Sequence, residues 1–145
     1  MGAFQKILVT TDFSECADLG LAEAERIAAE CDAEVVVLHV LHSDIPLGVS
    51  ARTEEEIEHG RREHAATSLE ERIQSRSSSV RFRPKVAVGN VAEKINVVAG
   101  DESVDLIVIC SHGRSALGRV LLGGTAEAVL HGATVPVLVV PRRKG

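Results

Sequence analysis

Tryptophan and tyrosine are absent from this chain, and three phenylalanines are its only aromatic residues, 2% of the whole. This composition speaks against an aromatic-lined binding groove, because the rings to build one are missing. Basic excess is lacking too: 16 Lys and Arg face 21 Asp and Glu, for a net charge of −5. A general nucleic-acid surface needs a concentrated basic patch, and the one basic cluster, Arg142, Arg143 and Lys144, has the character of a solvated tail. Cysteine is scarce and odd in number. Cys16, Cys31 and Cys110 show no C-x-x-C spacing, so neither a disulfide framework nor a zinc site is expected, and a reducing cytoplasm fits best. No apolar run approaches the roughly 20 residues of a membrane span, and no basic-then-apolar leader precedes the first apolar segment, so neither membrane insertion nor export is expected.

Val, Ile, Leu and Ala are abundant instead. With 145 residues and 45% hydrophobic content, one globular domain over residues 1–145 can close a real core of aliphatic strands and alanine-rich helices. Lys6 to Thr10 (KILVT) reads as a strand; Ser14 follows as a helix N-cap, with Ala17, Leu21, Ala24 and Ala28 on one helical face. Glu34 to Val40 (EVVVLHV) is nearly continuous in apolar residues, as in a strand buried on both faces of a parallel sheet. After a polar loop from His42 to Arg52, Thr53 and Glu56 form a capping box. It opens a charged helix to about Ser75 with Ile57, Ala65, Leu69 and Ile73 inside. Val80 to Val88 alternates apolar with basic residues and carries Pro84, which demands a sheet edge or a bulge. Asn90 and Glu93 repeat the cap signal before Ile95, Val98 and Ala99. Leu106 to Ile109, a helix from Gly124 to His131 and a strand from Val135 to Val140 complete the alternation.

Five strands alternating with four helices make an α/β fold, an open doubly wound parallel sheet, most simply in the order 3-2-1-4-5. Ligands bind where such an order reverses, outside the carboxyl ends of the strands. The segments leaving the first and fourth strands are Thr10-Thr11-Asp12 and Cys110-Ser111-His112-Gly113. The second opens a glycine-rich loop, CSHGRSALGRVLLGGT. Its Gly118 to Thr125 has the skeleton of a P-loop, but Gly124 replaces the phosphate-binding lysine, so no P-loop is present. Glycines let main-chain N–H groups approach an anion, and a helix starting near Gly123, Gly124 and Thr125 adds free donors and the positive end of its dipole. A phosphate group suits that loop. The same glycines also serve simply to turn the chain and cap helices.

The segments KILVTTDFSE, VVVLHV and DLIVICSHGRSALGRVLLGGTAEAVLHGATVPVLVV, in that order and spanning essentially the whole chain, resemble the universal stress protein family. The resemblance implies a Rossmann-like five-stranded fold and either ATP-binding or non-binding behaviour, divided by a G-x2-G-x9-G-[S/T] motif. Gly113 and Gly123 keep the long spacing, while Cys110 replaces the first glycine and Gly124 the terminal hydroxyl residue. It places Asp12 near ribose and adenine, Val40 beside the base, Ile109 and Cys110 under the nucleoside, and Gly113, Gly123 and Gly124 around the phosphates. Thr125, one residue on, is positioned to supply the missing hydroxyl. The implied ligand is ATP, ADP or AMP, with or without Mg or Mn. The implied assembly is a homodimer through Val135 to Val140, a strand apolar on both faces.

Other residues have competing readings. Ser14 beside Asp12 looks like a nucleophile with an acid, but its place before a helix favours an N-cap. His39 and His42 lie on opposite faces of a strand, which speaks against a shared metal. His112 is either a phosphate contact or a loop residue bonded to backbone, and Arg114 and Arg119 are either phosphate partners or solvated charges. Cys110 at an apolar strand end is expected to be an inert thiol. No Ser–His–Asp order, metal cluster or catalytic lysine is apparent, so a binding and regulatory protein is expected before an enzyme. The alternatives are a family member without nucleotide that acts through protein contacts, or a weak ATPase.

Overall fold

Runs of Val, Ile and Leu too apolar to leave a wet face must be covered on both sides, and this requirement shapes the molecule. The computed structural model describes residues 2–42, 47–76, 78–111 and 123–142. In chain order the elements are β1 (Lys6–Thr10), α1 (Glu15–Cys31), β2 (Glu34–Leu41), α2 (Ala51–Gln74), β3 (Arg81–Val88), α3 (Val91–Asp101), β4 (Leu106–Ser111), α4 (Gly124–Gly132) and β5 (Val137–Pro141). The strands form one sheet in the order β3-β2-β1-β4-β5, and each neighbouring pair is parallel. The fold class and strand order are those the alternation predicted.

Strand alternation splits the core in two. Ile7, Val9, Val35, Val37 and Val108 pack with Leu21, Ala24 and Ala28 of α1 and Leu69 of α2. Leu8, Val36, Leu38, Ile107 and Ile109 pack with Ile95, Val98 and Ala99 of α3 and Ala126 and Val129 of α4. Two helices therefore cover each face. The central strands are buried over most of their length, whereas β3 and β5 are only partly so, as edge strands must be. Pro84 sits in edge strand β3, where an unpaired side tolerates a missing N–H.

Local boundaries follow side-chain chemistry. Ser14 caps α1 by accepting from the Ala17 N–H at 3.1 Å, and Asn90 caps α3 by accepting from the Glu93 N–H at 3.0 Å. The expected Thr53 cap is corrected. Ser50 caps α2 and accepts from the Thr53 N–H at 3.3 Å, so Thr53 lies inside the first turn and the helix begins three residues earlier than expected. The fourth strand runs on to Ser111 because Cys110 and Ser111 pair with Val140 and Pro141. The fifth starts at Val137, since Pro136 has no N–H to give the ladder, although its carbonyl accepts from Ile107 at 3.0 Å.

The cysteine expectation is also corrected. Cys16, the second residue of α1, and Cys110 of β4 form a disulfide with Cα atoms 6.0 Å apart, leaving Cys31 as the free cysteine. Cys110 is thus not an inert thiol, and a reducing compartment loses the support that unpaired cysteines lent it. No described helix is long and apolar enough to cross a membrane.

Candidate functional site

β1 and β4 are neighbours whose chains leave in opposite lateral directions, β1 toward β2 and β4 toward β5, and this divergence opens a crevice at their carboxyl ends. One wall is the β1–α1 loop. Thr11 is 5% exposed, and its N–H donates to the Leu38 carbonyl at 2.9 Å. Its hydroxyl accepts from the Phe13 N–H at 3.0 Å, and Asp12 Oδ1 accepts from the Ser14 N–H at 3.0 Å. Two consecutive side-chain turns drive Phe13 into the left-handed region, φ 67°, at a cost of about 1–2 kcal/mol. Tertiary contacts offset that cost: Arg72 donates to the Phe13 carbonyl and its guanidinium lies 5.5 Å from the ring centroid, while the His39 ring is 4.5 Å from that of Phe13.

His39 closes the wall from β2. Its Nδ1 lies 2.7 Å from the Thr11 carbonyl oxygen, so this histidine braces the loop. Among the described residues no group of three or more His, Cys, Asp or Glu is arranged to hold a metal ion. Ser14 is the N-cap, its hydroxyl committed to the helix.

The opposite wall is the start of α4. Gly123 is its N-cap and makes no side-chain cap bond, so among the described residues the first-turn N–H groups lack the partner that a Ser or Asp cap would supply. Gly124 and Thr125 are exposed, and a Cβ built on Gly124 meets nothing within 4 Å.

Between these walls lies a cleft of about 400 Å³, within the range of small-ligand sites. Thr10, Thr11 and Asp12, Val40 from β2, Ile109 and Cys110 from β4, and Thr125 of α4 all line it. Gly123 and Gly124 stand beside Thr125 at the helix start, while His112, Gly113 and Arg114 lie outside the described residues. Sequence reasoning missed Leu41, Val91, Ile95, Ala126 and Arg61, which also contribute to the lining. Arg61 left no local signal, because α2 is charged nearly all round; only the packing of α2 beside β2 brings it to the cleft. A groove of about 540 Å³ under α2 shares His39, Leu41 and Arg61 with the cleft and so extends it. The whole grades from an apolar floor to a polar rim made of the Asp12 carboxylate on the β1 loop, the Arg61 cation on α2, and the helix N–H groups and Thr125 hydroxyl at the start of α4. That gradient suits a molecule with a flat heterocycle and an anionic tail.

The universal stress protein family model matches residues 3–141. Universal stress protein MJ0577 of Methanocaldococcus jannaschii is 33% identical, with 97% of this chain and 96% of the relative covered. Universal stress protein A homolog 2 of Coxiella burnetii is 34% identical over 100% of this chain and 99% of its own. The solved structure of MJ0577 superposes with a TM-score of 0.82 at 31% identity, covering 99% of this chain and 100% of that one. A universal stress protein crystallised in complex with cAMP shares the fold, with a TM-score of 0.70 at 20% identity over 96% of this chain and 98% of that one.

Proposed function

The chain belongs to the universal stress protein family, and we propose that it serves there as an adenine-nucleotide-binding regulator, one such domain working in stress response. The observation that carries this reading is the cleft at the β1/β4 divergence, where Asp12, Val40 and Ile109 face the uncapped start of α4. In this reading Val40 and Ile109 form the floor under the base, Asp12 meets the ribose, and the N–H groups at Gly124 and Thr125 meet the phosphates. Gly113, His112 and Arg114, outside the described residues, are proposed for the phosphates from the sequence alone. The cAMP complex of a protein with the same fold supports an adenine nucleotide as ligand.

ATP is the favoured nucleotide, since the several first-turn N–H groups at the start of α4 can meet more than one phosphate. Asp12 is the one carboxylate lining the 400 Å³ cleft among the described residues, so a Mg or Mn ion there would be held mainly by phosphate oxygens and water. Binding is favoured over turnover because His39 and Ser14 are engaged in holding the loop and helix. Cys110 and Gly124, at the two departures from the family motif, favour the second reading, a member acting through protein contacts alone.

Calorimetry with Mg-ATP decides between the two readings. Binding heat is expected, and because Trp and Tyr are absent, co-purified adenine would dominate the near-ultraviolet spectrum. Gly124→Ser has room for its side chain and restores a hydroxyl at the helix start, so it should tighten ATP by roughly 3–10-fold, about 1 kcal/mol. Absence of heat at millimolar ATP in both proteins would leave the second reading standing.

A further inference from the structure

The disulfide lies at the crevice. Cys110 is partly exposed and lines the cleft, whereas Cys16 is buried, 5% exposed, in the first turn of α1. Cys110 is therefore the more accessible partner of the two. Cys16 Sγ also lies 3.6 Å from the Ser111 carbonyl oxygen, so the linkage sits against the last residue of β4. The bond joins residues 94 apart in sequence, yet needs no distortion of the fold, because β1 and β4 are paired and α1 starts directly after the β1 loop. Its Cα separation of 6.0 Å lies within the usual span for disulfides.

We propose that Cys16 and Cys110 form a reversible redox modification site that sets the rigidity of the crevice, taking peroxide as oxidant and small thiols as reductant. In oxidation the accessible Cys110 thiolate attacks a peroxide oxygen, the O–O bond breaks, and a sulfenic acid and water form. The Cys16 thiolate then attacks the Cys110 sulfur and expels the second water. Two thiols thus lose two electrons and two protons in all, and one hydrogen peroxide becomes two waters. In reduction a thiolate attacks Cys110, the sulfur that the cleft exposes, and Cys16 leaves as thiolate. The N-terminus of α1 favours that charge, so Cys16 is the better leaving group. A second thiol then releases Cys110 by attacking the mixed disulfide. When the bond is present, the exit of β4 is tied to the start of α1; when it is absent, both walls retain only their non-covalent contacts. Resting on the nucleotide reading, the further expectation is that the oxidised form is the better-organised binder.

The test uses the full chain, reduced with dithiothreitol or oxidised with hydrogen peroxide, and the Cys16→Ser and Cys110→Ser variants. Mass spectrometry after alkylation should show a Cys16–Cys110 linkage in the oxidised protein and two more alkylated thiols after reduction. Amide exchange at Thr10–Ser14 and Ile109–Ser111 should quicken at least threefold on reduction, and in neither variant should it respond to the reagents. Peroxide treatment that leaves both thiols alkylatable overturns the proposal, as does a disulfide that forms without changing exchange. Titration of ATP into both forms reads the nucleotide reading separately. At least threefold weaker affinity after reduction supports the coupling, equal affinities overturn the coupling, and no binding in either form overturns the nucleotide reading while the exchange result stands.

Discussion

Glu102, at the C-terminus of α3, gathers cations at the end of the sheet opposite the crevice. Its carboxylate takes a bidentate pair from Arg83, lies 3.1 Å from Lys6 Nζ and 3.9 Å from Lys85 Nζ, and Arg83 in turn donates to Glu34 at 2.9 Å. The Arg83 hydrogen bonds hold the Glu102 carboxyl at a pKa of about 2, below its ordinary 4.5. The folded form therefore binds fewer protons than the unfolded chain between those values. Its contribution is complete above about pH 4.5 and is lost as pH falls toward 2. Because Arg83 is 43% exposed, solvent screening reduces the effect to roughly 1–2 kcal/mol. Glu102→Gln should lose that amount at pH 7 and show a flatter acid limb in urea unfolding measured from pH 5 to 2. Parallel limbs for the two proteins would show that Glu102 does not carry the linkage. At this scale the sequence was only partly informative. Ser14 and Asn90 announced themselves as caps, because a cap bonds within three residues. Glu102, Arg61 and the Cys16–Cys110 pair did not, because their partners come from distant segments and three cysteines without C-x-x-C spacing give no pairing signal.

Among the elements, α1 shows how tightly a helix can be seated by small residues. Ala17, Gly20, Leu21, Ala24 and Ala28 form its buried stripe, and Gly20 lies against β4. A Cβ added there would stand 3.7 Å from the Cys110 nitrogen and 3.8 Å from Val9 Cγ2, which is ordinary contact distance. Gly20→Ala should therefore keep the seat and gain helix propensity, raising the unfolding free energy by about 0.5–1 kcal/mol in urea titration. A loss of stability would mean that α1 cannot accommodate one methyl against the sheet. The stripe was legible because its spacing of three and four residues survives whatever the helix packs on. The start of α2 was less so. Ser50 and Thr53 are both good caps, and the choice between them depends on where the preceding chain enters, which local sequence does not encode. Seven of the expected site residues reached the cleft because strand order alone places the ends of β1, β2 and β4 and the start of α4 around one point.

For the whole molecule, the consequence of the strand order is an unprotected edge. Among the described residues β5 pairs with β4 alone, and Val137, Leu138, Val139 and Val140 are each only partly buried. Val135, Val137 and Val139 pack toward one core cluster and Leu138 and Val140 toward the other, so neither face of this edge is polar. The Pro136 carbonyl bonds to β4, and alternation then turns the main-chain groups of Val137 and Val139 outward, with Pro141 at the next outward position. A second copy of the strand is the natural cover for an apolar ladder of this kind. The protein should accordingly sediment as a dimer at micromolar concentration. Val139→Pro removes one outward N–H while leaving the β4 ladder intact, so it should yield a monomer whose circular dichroism matches the parent. A parent that sediments as a monomer, or a Val139→Pro protein that remains dimeric, would move the interface away from β5.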